Sequence, residues 1–191
     1  MLTSHFAKNF GRPYKYIVSV DSTPLEEAPD FIKTSLDKLS HAAKTAEPSS
    51  EMLNELLVIG YLEKMKMGYH DDGESTLGPT VATLSLGSPA AMKFRVKKKY
   101  FSKGSNEQKD KSSAPREIEV FQKELGQNAR VSAGRREAPP FLTLDVSHGD
   151  MIIMHGTNLQ KYLEHSVEPK GEIRFALTAR HIRDNVDEAL V

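Results

Sequence analysis

Three residues of this 191-residue chain have the side-chain types and the spacing to bind a divalent metal ion. His70 and Asp72 form a His-x-Asp pair, and His165 follows far downstream. Two imidazoles and one carboxylate can occupy one triangular face of an octahedral ion, leaving three positions open for dioxygen and a chelating co-substrate. The chain has no cysteine, and an imidazole and carboxylate set suits Fe(II) or Mn(II). These residues predict an open metal centre rather than a closed structural site.

Two arginines downstream of His165 could bind a dicarboxylate. In an extended strand Arg174 and Arg180 point to the same face, and Phe175, Leu177 and Ala179 form the opposite apolar face. A guanidinium facing the interior is costly without an anion, and its planar fork matches a carboxylate. Combined with the metal residues, the pair predicts an Fe(II)-dependent oxygenase that consumes 2-oxoglutarate and O2.

The order of the residues along the chain selects His165 as the third ligand. Alternation in extended chain puts His70 and Asp72 on one face. His165 precedes Arg174 in the order that a closing hairpin requires. His41 lies on an expected helix and His148 in an expected turn, so neither is placed beside the arginines.

Composition favours one compact domain over residues 1–191. The formal net charge is zero, so no global positive field attracts nucleic acid or an anionic membrane. No apolar run approaches the roughly 18 residues that span a bilayer. We therefore expect an intracellular protein, cytoplasmic or nuclear, without a membrane partner and monomeric.

Hydrophobic periodicity predicts a mainly β fold with one supporting helix near the N-terminus. Apolar residues recur at helical spacing from Phe31 to Ala43, after Pro24 and Pro29. Strands are expected at residues 10–20, 56–62, 81–86, 94–96, 141–146, 151–154 and 173–182. Residues 103–140 read as a flexible insertion with a possible short helix at 118–125. Many short strands with one early helix indicate a barrel or jelly roll.

Two further groups could contact a substrate. The basic segment 93–103 contains aromatic residues, and Lys97, Lys98 and Lys99 could follow phosphates there. The alternative is a solvated edge strand that its lysines protect against aggregation. Tyr14 and Tyr16 share one face of the expected first strand and could stack a base, although aromatic residues on a strand commonly belong to a core.

Several ordered motifs resemble the AlkB-like nucleic-acid dealkylases. FGRPYKY before a Pro-led helix resembles the aromatic strand of that family, and Tyr61 lies nine residues before His70. HDDGE at 70–74, ATLSLGSPAAMKFR at 82–95, HGDMIIMHG at 148–156, LEHSV at 163–167 and RFALTAR at 174–180 follow in the family's order. The resemblance covers about residues 10–182.

The resemblance implies a double-stranded β-helix and oxidative N-dealkylation of bases in DNA or RNA, releasing succinate, carbon dioxide and formaldehyde. The implied metal ligands are His70, Asp72 and His165. The implied 2-oxoglutarate contacts are Tyr61 and Arg174 at the far carboxylate and Arg180 toward the metal end. Glu74 falls where the family contacts the exocyclic group of the target base.

The chain departs from the family at the co-substrate and at the lid. Ile59 and Ala176 stand where the family usually has asparagines near 2-oxoglutarate. We also expect part of the family's N-terminal nucleotide-recognition lid to be missing, because the chain begins close to the aromatic strand. Two other functions remain open: an oxygenase that hydroxylates or demethylates a small molecule or free nucleotide, and a non-catalytic nucleic-acid-binding module.

Overall fold

Two β-sheets and one long helix build the part of the chain that the computed structural model describes, residues 6–13, 21–100 and 138–183. The strands are β1 (Phe6–Gly11), β2 (Ser22–Thr23), β3 (Glu55–Leu62), β4 (Met67–His70), β5 (Leu77–Gly87), β6 (Ala90–Val96), β7 (Leu142–Val146), β8 (Met151–His155), β9 (Leu163–Pro169) and β10 (Ile173–Ile182). The α-helices are α1 (Asp30–Ala46) and α2 (Thr157–Tyr162), and 3-10 turns cover Leu25–Glu27 and Lys98–Tyr100.

The larger sheet has the strand order β2-β1-β3-β10-β5-β8, and the smaller has the order β4-β9-β6-β7. Apart from the parallel pair of β1 and β2, the strand pairs are antiparallel. The chain passes from β5 of the larger sheet to β6 of the smaller sheet at Gly87, whose φ is +88°. A Cβ there would lie 2.6 Å from the Ile173 carbonyl oxygen, so the turn requires glycine.

Helix α1 packs on one face of the larger sheet. The prolines before it fix an extended approach, and the helix begins at Asp30, directly after Pro29. Its buried side chains follow the predicted spacing, and they pack with Leu177 and Ala179 of β10. The apolar face of β10 therefore points at the helix, as its alternation predicted.

The other face of the larger sheet packs on the smaller sheet. Ile59, Val81 and Ala176 of the larger sheet share one apolar cluster with Phe94 and Val167 of the smaller sheet. The result is a β-sandwich with a helix on its outside, which confirms the predicted mainly β fold. The candidate ligands and both arginines lie along the interior between the sheets.

Several boundaries and elements differ from the prediction. The first described strand covers Phe6–Gly11 and so begins before the expected range 10–20, of which residues 14–20 lie outside the described part of the chain. Strand β1 ends at Gly11, which adopts a φ of +94°. Strand β9 and helix α2 were not predicted, and β9 pairs in the smaller sheet, so it forms no hairpin with β10. Most of the expected insertion at 103–140, including its possible helix, lies outside the described residues. Within the described ranges, no helix is long and apolar enough to cross a membrane.

Candidate active site

The three candidate metal ligands come together on β4, on β9 and in the loop that follows β4. His70 lies directly opposite His165 in the antiparallel register, and their ring centres are 4.3 Å apart. Oδ2 of Asp72 lies 3.8 Å from Nε2 of His165. One potential ligand atom from each residue lies within 4.8 Å of the others. Bonds of about 2.1 Å to one ion would place these atoms about 3 to 4 Å apart, so the donor set fits a divalent metal after a small contraction.

The imidazole of His70 is oriented by its own strand. Its Nδ1 lies 2.9 Å from the carbonyl oxygen of Gly68. Because a carbonyl oxygen can only accept, Nδ1 carries the proton and Nε2 keeps the lone pair that a metal requires. A hydrogen bond of this kind commonly fixes the ring of a metal-binding histidine.

The imidazole of His165 is neutral at pH 7. Burial and, to a smaller extent, the neighbouring His70 lower the pKa of His165, Asp72 acts in the opposite direction, and the result is a pKa of about 4. The ring also packs beside Phe94, with 5.7 Å between ring centres. Since the neutral imidazole is the form that binds metals, His165 is ready to act as a ligand at neutral pH.

We expect acidification to destabilise the metal-free protein. The unfolded chain holds His165 near its ordinary pKa of 6.5 and the folded chain near 4, so between these values the unfolded state binds more protons. The free energy of unfolding contributed by His165 is therefore lost as the pH falls through this window, by at most about 1.4 kcal/mol per pH unit. Urea unfolding of the parent and of His165→Gln, each at pH 7 and pH 5 with a chelator, measures this loss. If both proteins lost the same free energy of unfolding between these pH values, the low pKa of His165 would be contradicted.

Arg174 is a buried cation, and only some of its hydrogen-bond donors have an acceptor in the described part of the protein. Arg174 lies on the face of β10 that points between the sheets, and the residue is 3% exposed. Its Nη2 donates to Ser85 Oγ at 2.8 Å. The guanidinium carbon lies 5.3 Å from the ring centre of Tyr61, its partner on β3. Nε and Nη1 have no hydrogen-bond partner among the described residues. Burial lowers the pKa of Arg174, and two unused donors aimed into the interior make this position suited to a carboxylate.

Arg180 already has a carboxylate partner inside the protein. Its Nε and Nη2 donate to the two oxygens of Glu55 at 2.8 and 2.6 Å. Both residues are buried and lie opposite each other on β10 and β3. Burial raises the pKa of the Glu55 carboxyl, and the charge of Arg180 lowers it. The two predicted arginines therefore differ: the charge of Arg180 is neutralised by Glu55, and Arg174 keeps unused donors.

Removing Glu55 alone should destabilise the protein strongly. Glu55→Ala leaves the guanidinium of Arg180 buried without its carboxylate, which typically costs about 3–5 kcal/mol. The double variant Glu55→Leu with Arg180→Met removes both charges. Its free energy of unfolding should be within about 1 kcal/mol of that of the parent, or higher. Urea unfolding of both variants measures the difference. A loss below about 1 kcal/mol in Glu55→Ala would show that the buried pair does not form.

The two departures from the AlkB-like pattern are neighbours in space. Ile59 and Ala176 are direct partners on β3 and β10, and both are buried in the cluster between the sheets. They lie next to the pair of Tyr61 and Arg174 along the same two strands. Two polar positions of the family are thus replaced together by an apolar contact, and the interior beside Arg174 lacks amide groups from these residues.

Glu74 is half-buried near the candidate ligands. Its Oε2 is buried and has no hydrogen-bond partner among the described residues. Burial raises the pKa of Glu74, and the nearby Asp72 adds to the rise, whereas Arg180 opposes it. A carboxyl group with an unused buried oxygen can form a hydrogen bond to a ligand, and the substrate contact expected for Glu74 stays a prediction.

The basic residues expected to follow phosphates are largely paired with acids. They alternate on the outer face of β6, which turns its other residues toward the core. The pairs are Lys93 with Glu168 at 2.6 Å, Arg95 with Glu164 at 2.5 Å and Lys97 with Asp71 at 2.5 Å. The charge of Lys97 therefore has a carboxylate partner inside the protein, and the phosphate contact expected for it stays a prediction.

Lys98 and Lys99 remain exposed on the 3-10 turn after β6. Lys99 Nζ lies 4.9 Å from the ring centre of Tyr100. The other two expected substrate contacts, Tyr14 and Tyr16, lie outside the described residues. The described part of the chain therefore offers a smaller basic surface than the sequence suggested.

Sequence reasoning missed Ser85 and Glu55, although strand alternation could have found both. On β5, Ser85 points to the same side as Val81, which is buried between the sheets. On β3, Glu55 shares a face with Tyr61. An acid and a serine on the inner faces of apolar strands indicate buried polar partners, and here these partners are the two arginines.

Comparison with known proteins agrees with this geometry. The sequence pattern of the family described as "2OG-Fe(II) oxygenase superfamily" matches residues 2–185. No curated protein matches the chain. A solved structure described as "The structure of OsALKBH1" aligns with 93% of this chain and 78% of that chain, at 17% identity and a TM-score of 0.51, which shows a similar fold. This confirms the expected double-stranded β-helix and supports an enzyme over a non-catalytic module. The chain belongs to the 2OG-Fe(II) oxygenase superfamily and is a dioxygenase that uses Fe(II), 2-oxoglutarate and O2.

Proposed function

We propose that this dioxygenase removes N-alkyl groups from nucleobases of DNA or RNA. The observation that carries the proposal is Glu74, which has an unused buried oxygen and lies two residues after Asp72. A carboxyl at this place can accept a hydrogen bond from the exocyclic amino group of a base. The AlkB-like order of the motifs supports the same substrate class. Such a base must be single-stranded or flipped out to enter the site.

His70, Asp72 and His165 are the proposed iron ligands. When iron, 2-oxoglutarate and O2 are bound, they supply the oxidation that hydroxylates an N-methyl carbon, which then leaves as formaldehyde, with succinate and carbon dioxide as the other products. The protein orients the ligands: the Gly68 carbonyl fixes the His70 ring, and burial keeps His165 neutral.

Arg174 is the proposed anchor for the far carboxylate of 2-oxoglutarate. Its Nε and Nη1 are the unused donors, Ser85 holds Nη2, and Tyr61 lines the same position. For Arg180 we propose a supporting role, because its fork is already bound to Glu55. The apolar pair of Ile59 and Ala176 excludes water beside the anchor and strengthens the carboxylate contact.

A second candidate substrate is a small molecule or free nucleotide. The specific observation in its favour is the neutral outer face of β6, where Lys93, Arg95 and Lys97 are all paired with acids. A long nucleic acid gains most of its affinity from phosphate contacts. A free nucleotide needs fewer such contacts and could use the same Glu74.

Mass spectrometry of substrates incubated with the protein, Fe(II), ascorbate and 2-oxoglutarate separates these candidates. N-methylated oligonucleotides and the matching mononucleotides should be offered in parallel, with Asp72→Ala as the inactive control. Loss of one methylene mass from oligonucleotides alone supports the proposal. Loss from mononucleotides alone supports a free nucleotide as the substrate, and loss from neither contradicts both kinds of nucleotide substrate. Glu74→Gln should lower demethylation without lowering the affinity for 2-oxoglutarate.

A further inference from the structure

The residue between the first two candidate ligands is tied to the rest of the protein. Asp71 follows His70 and precedes Asp72 in the loop after β4. Its Oδ1 accepts the backbone N–H of Gly73 at 3.0 Å, and its Oδ2 lies 2.5 Å from Nζ of Lys97. Both carboxylate oxygens of Asp71 therefore hold the short loop after β4 that carries Asp72.

Lys97 connects this loop to the segment that leads into β9. Besides Asp71, its Nζ donates to the carbonyl oxygen of Gln160 on α2 at 2.6 Å. Its backbone N–H donates to the carbonyl oxygen of Tyr162, the last residue of α2, at 2.9 Å. The side chain is only 13% exposed, so water competes weakly for these contacts. One ammonium group thus contacts the loop that carries Asp72 and the helix that leads into the strand with His165.

The same short helix also holds the far end of the loop. Nε2 of Gln160 donates to the carbonyl oxygen of Gly78 at 2.9 Å. Strand β9 begins directly after α2, and His165 is its third residue. The loop with Asp72 is therefore fixed at both ends to α2, and α2 in turn fixes the start of the strand that carries His165.

We propose that Lys97 is a positioning residue that sets the spacing between Asp72 and His165 for metal binding. The inference rests on the metal role proposed for the triad. It also explains why a lysine in a basic segment is buried against Asp71 instead of facing solvent. Groups that support metal ligands typically contribute a factor of about 10–100 to metal affinity.

Mn(II) binding to the full chain, without 2-oxoglutarate or oxygen, tests the proposal independently of turnover. Lys97→Met keeps the aliphatic stem and removes the ammonium, and we expect it to weaken Mn(II) affinity about tenfold or more. Lys93→Met is the matched control, because Lys93 lies on β6, the strand that Lys97 follows, and forms an ion pair with Glu168. It should bind Mn(II) within about twofold of the parent. Free Mn(II) is measured by electron paramagnetic resonance.

Two further variants separate positioning from general stability. Lys97→Arg retains a cation and should recover most of the affinity. Asp71→Asn should weaken Mn(II) binding, and its combination with Lys97→Met should add little, because the two residues act through one contact. Lys97→Met with parental affinity, equal losses in Lys93→Met, or additive losses in the double variant would each overturn the role of Lys97. A parent that bound no Mn(II) would instead refute the proposed metal site, and the inference with it.

Discussion

Asp72→Ala should abolish turnover and weaken metal binding by about 100-fold or more. Asp72 supplies the only carboxylate of the proposed ligand set, so its removal leaves two imidazoles without an anionic ligand. Removing a direct ligand should cost at least as much as removing a supporting group, for which losses of 10–100-fold are typical. The loss is measured as the dissociation constant of Mn(II) or anaerobic Fe(II), and as succinate formed per protein in air.

Asp145→Ala is the matched control for this variant. Asp145 is an aspartate on the exposed surface of the smaller sheet, where it forms an ion pair with Lys170 at 2.6 Å. It should leave metal affinity and turnover unchanged. His70→Ala should behave like Asp72→Ala. Persistent turnover in either ligand variant would show that the iron is bound by other residues.

Arg174→Met should raise the dissociation constant of 2-oxoglutarate about 100-fold while metal affinity stays within about twofold. Truncating one partner of a buried, hydrogen-bonded charge pair costs about 2–5 kcal/mol. The same change should leave the ligand-free protein as stable as the parent or more stable, because it removes a buried cation with two unused donors. Calorimetric titration of the Mn(II)-loaded protein measures binding, and thermal unfolding measures stability.

Two other arginine variants test whether the fork of Arg174 matters. Arg174→Lys keeps the charge but loses the two-point contact, so it should recover only part of the affinity. Arg183→Met removes an exposed arginine near the end of the same strand and should have no effect. If Arg174→Met bound 2-oxoglutarate normally, the co-substrate would have to be held elsewhere, with Arg180 as the next candidate.

The sequence was most informative where a pattern is local. Helical spacing placed α1, and alternation on β10 separated its arginines from Leu177 and Ala179. The order of HxD, the distal histidine and the arginines identified side chains that the structure brings together. These features depend on residues near one another in the chain or on the motif order, so they could be predicted without knowing the strand register.

The electrostatic partners could not be predicted because they depend on register between distant strands. Glu55 faces Arg180 only because β3 and β10 are neighbours with that pairing. Asp71 follows β4 and Lys97 follows β6, two different strands of the smaller sheet, and their contact also needs the position of α2. Composition therefore overstated the basic surface of β6 and made the two arginines look equivalent.

Oxygen-dependent conversion of 2-oxoglutarate tests the central claim most directly. The protein should be loaded anaerobically with one equivalent each of Fe(II) and 2-oxoglutarate, then mixed with air-saturated buffer, and succinate should be quantified. The parent should form up to one succinate per iron, and the His70→Ala and Asp72→Ala variants should form none above protein-free controls. No succinate from the iron-loaded parent, or equal yields from parent and ligand variants, would contradict the claim that this triad is the oxygenase centre.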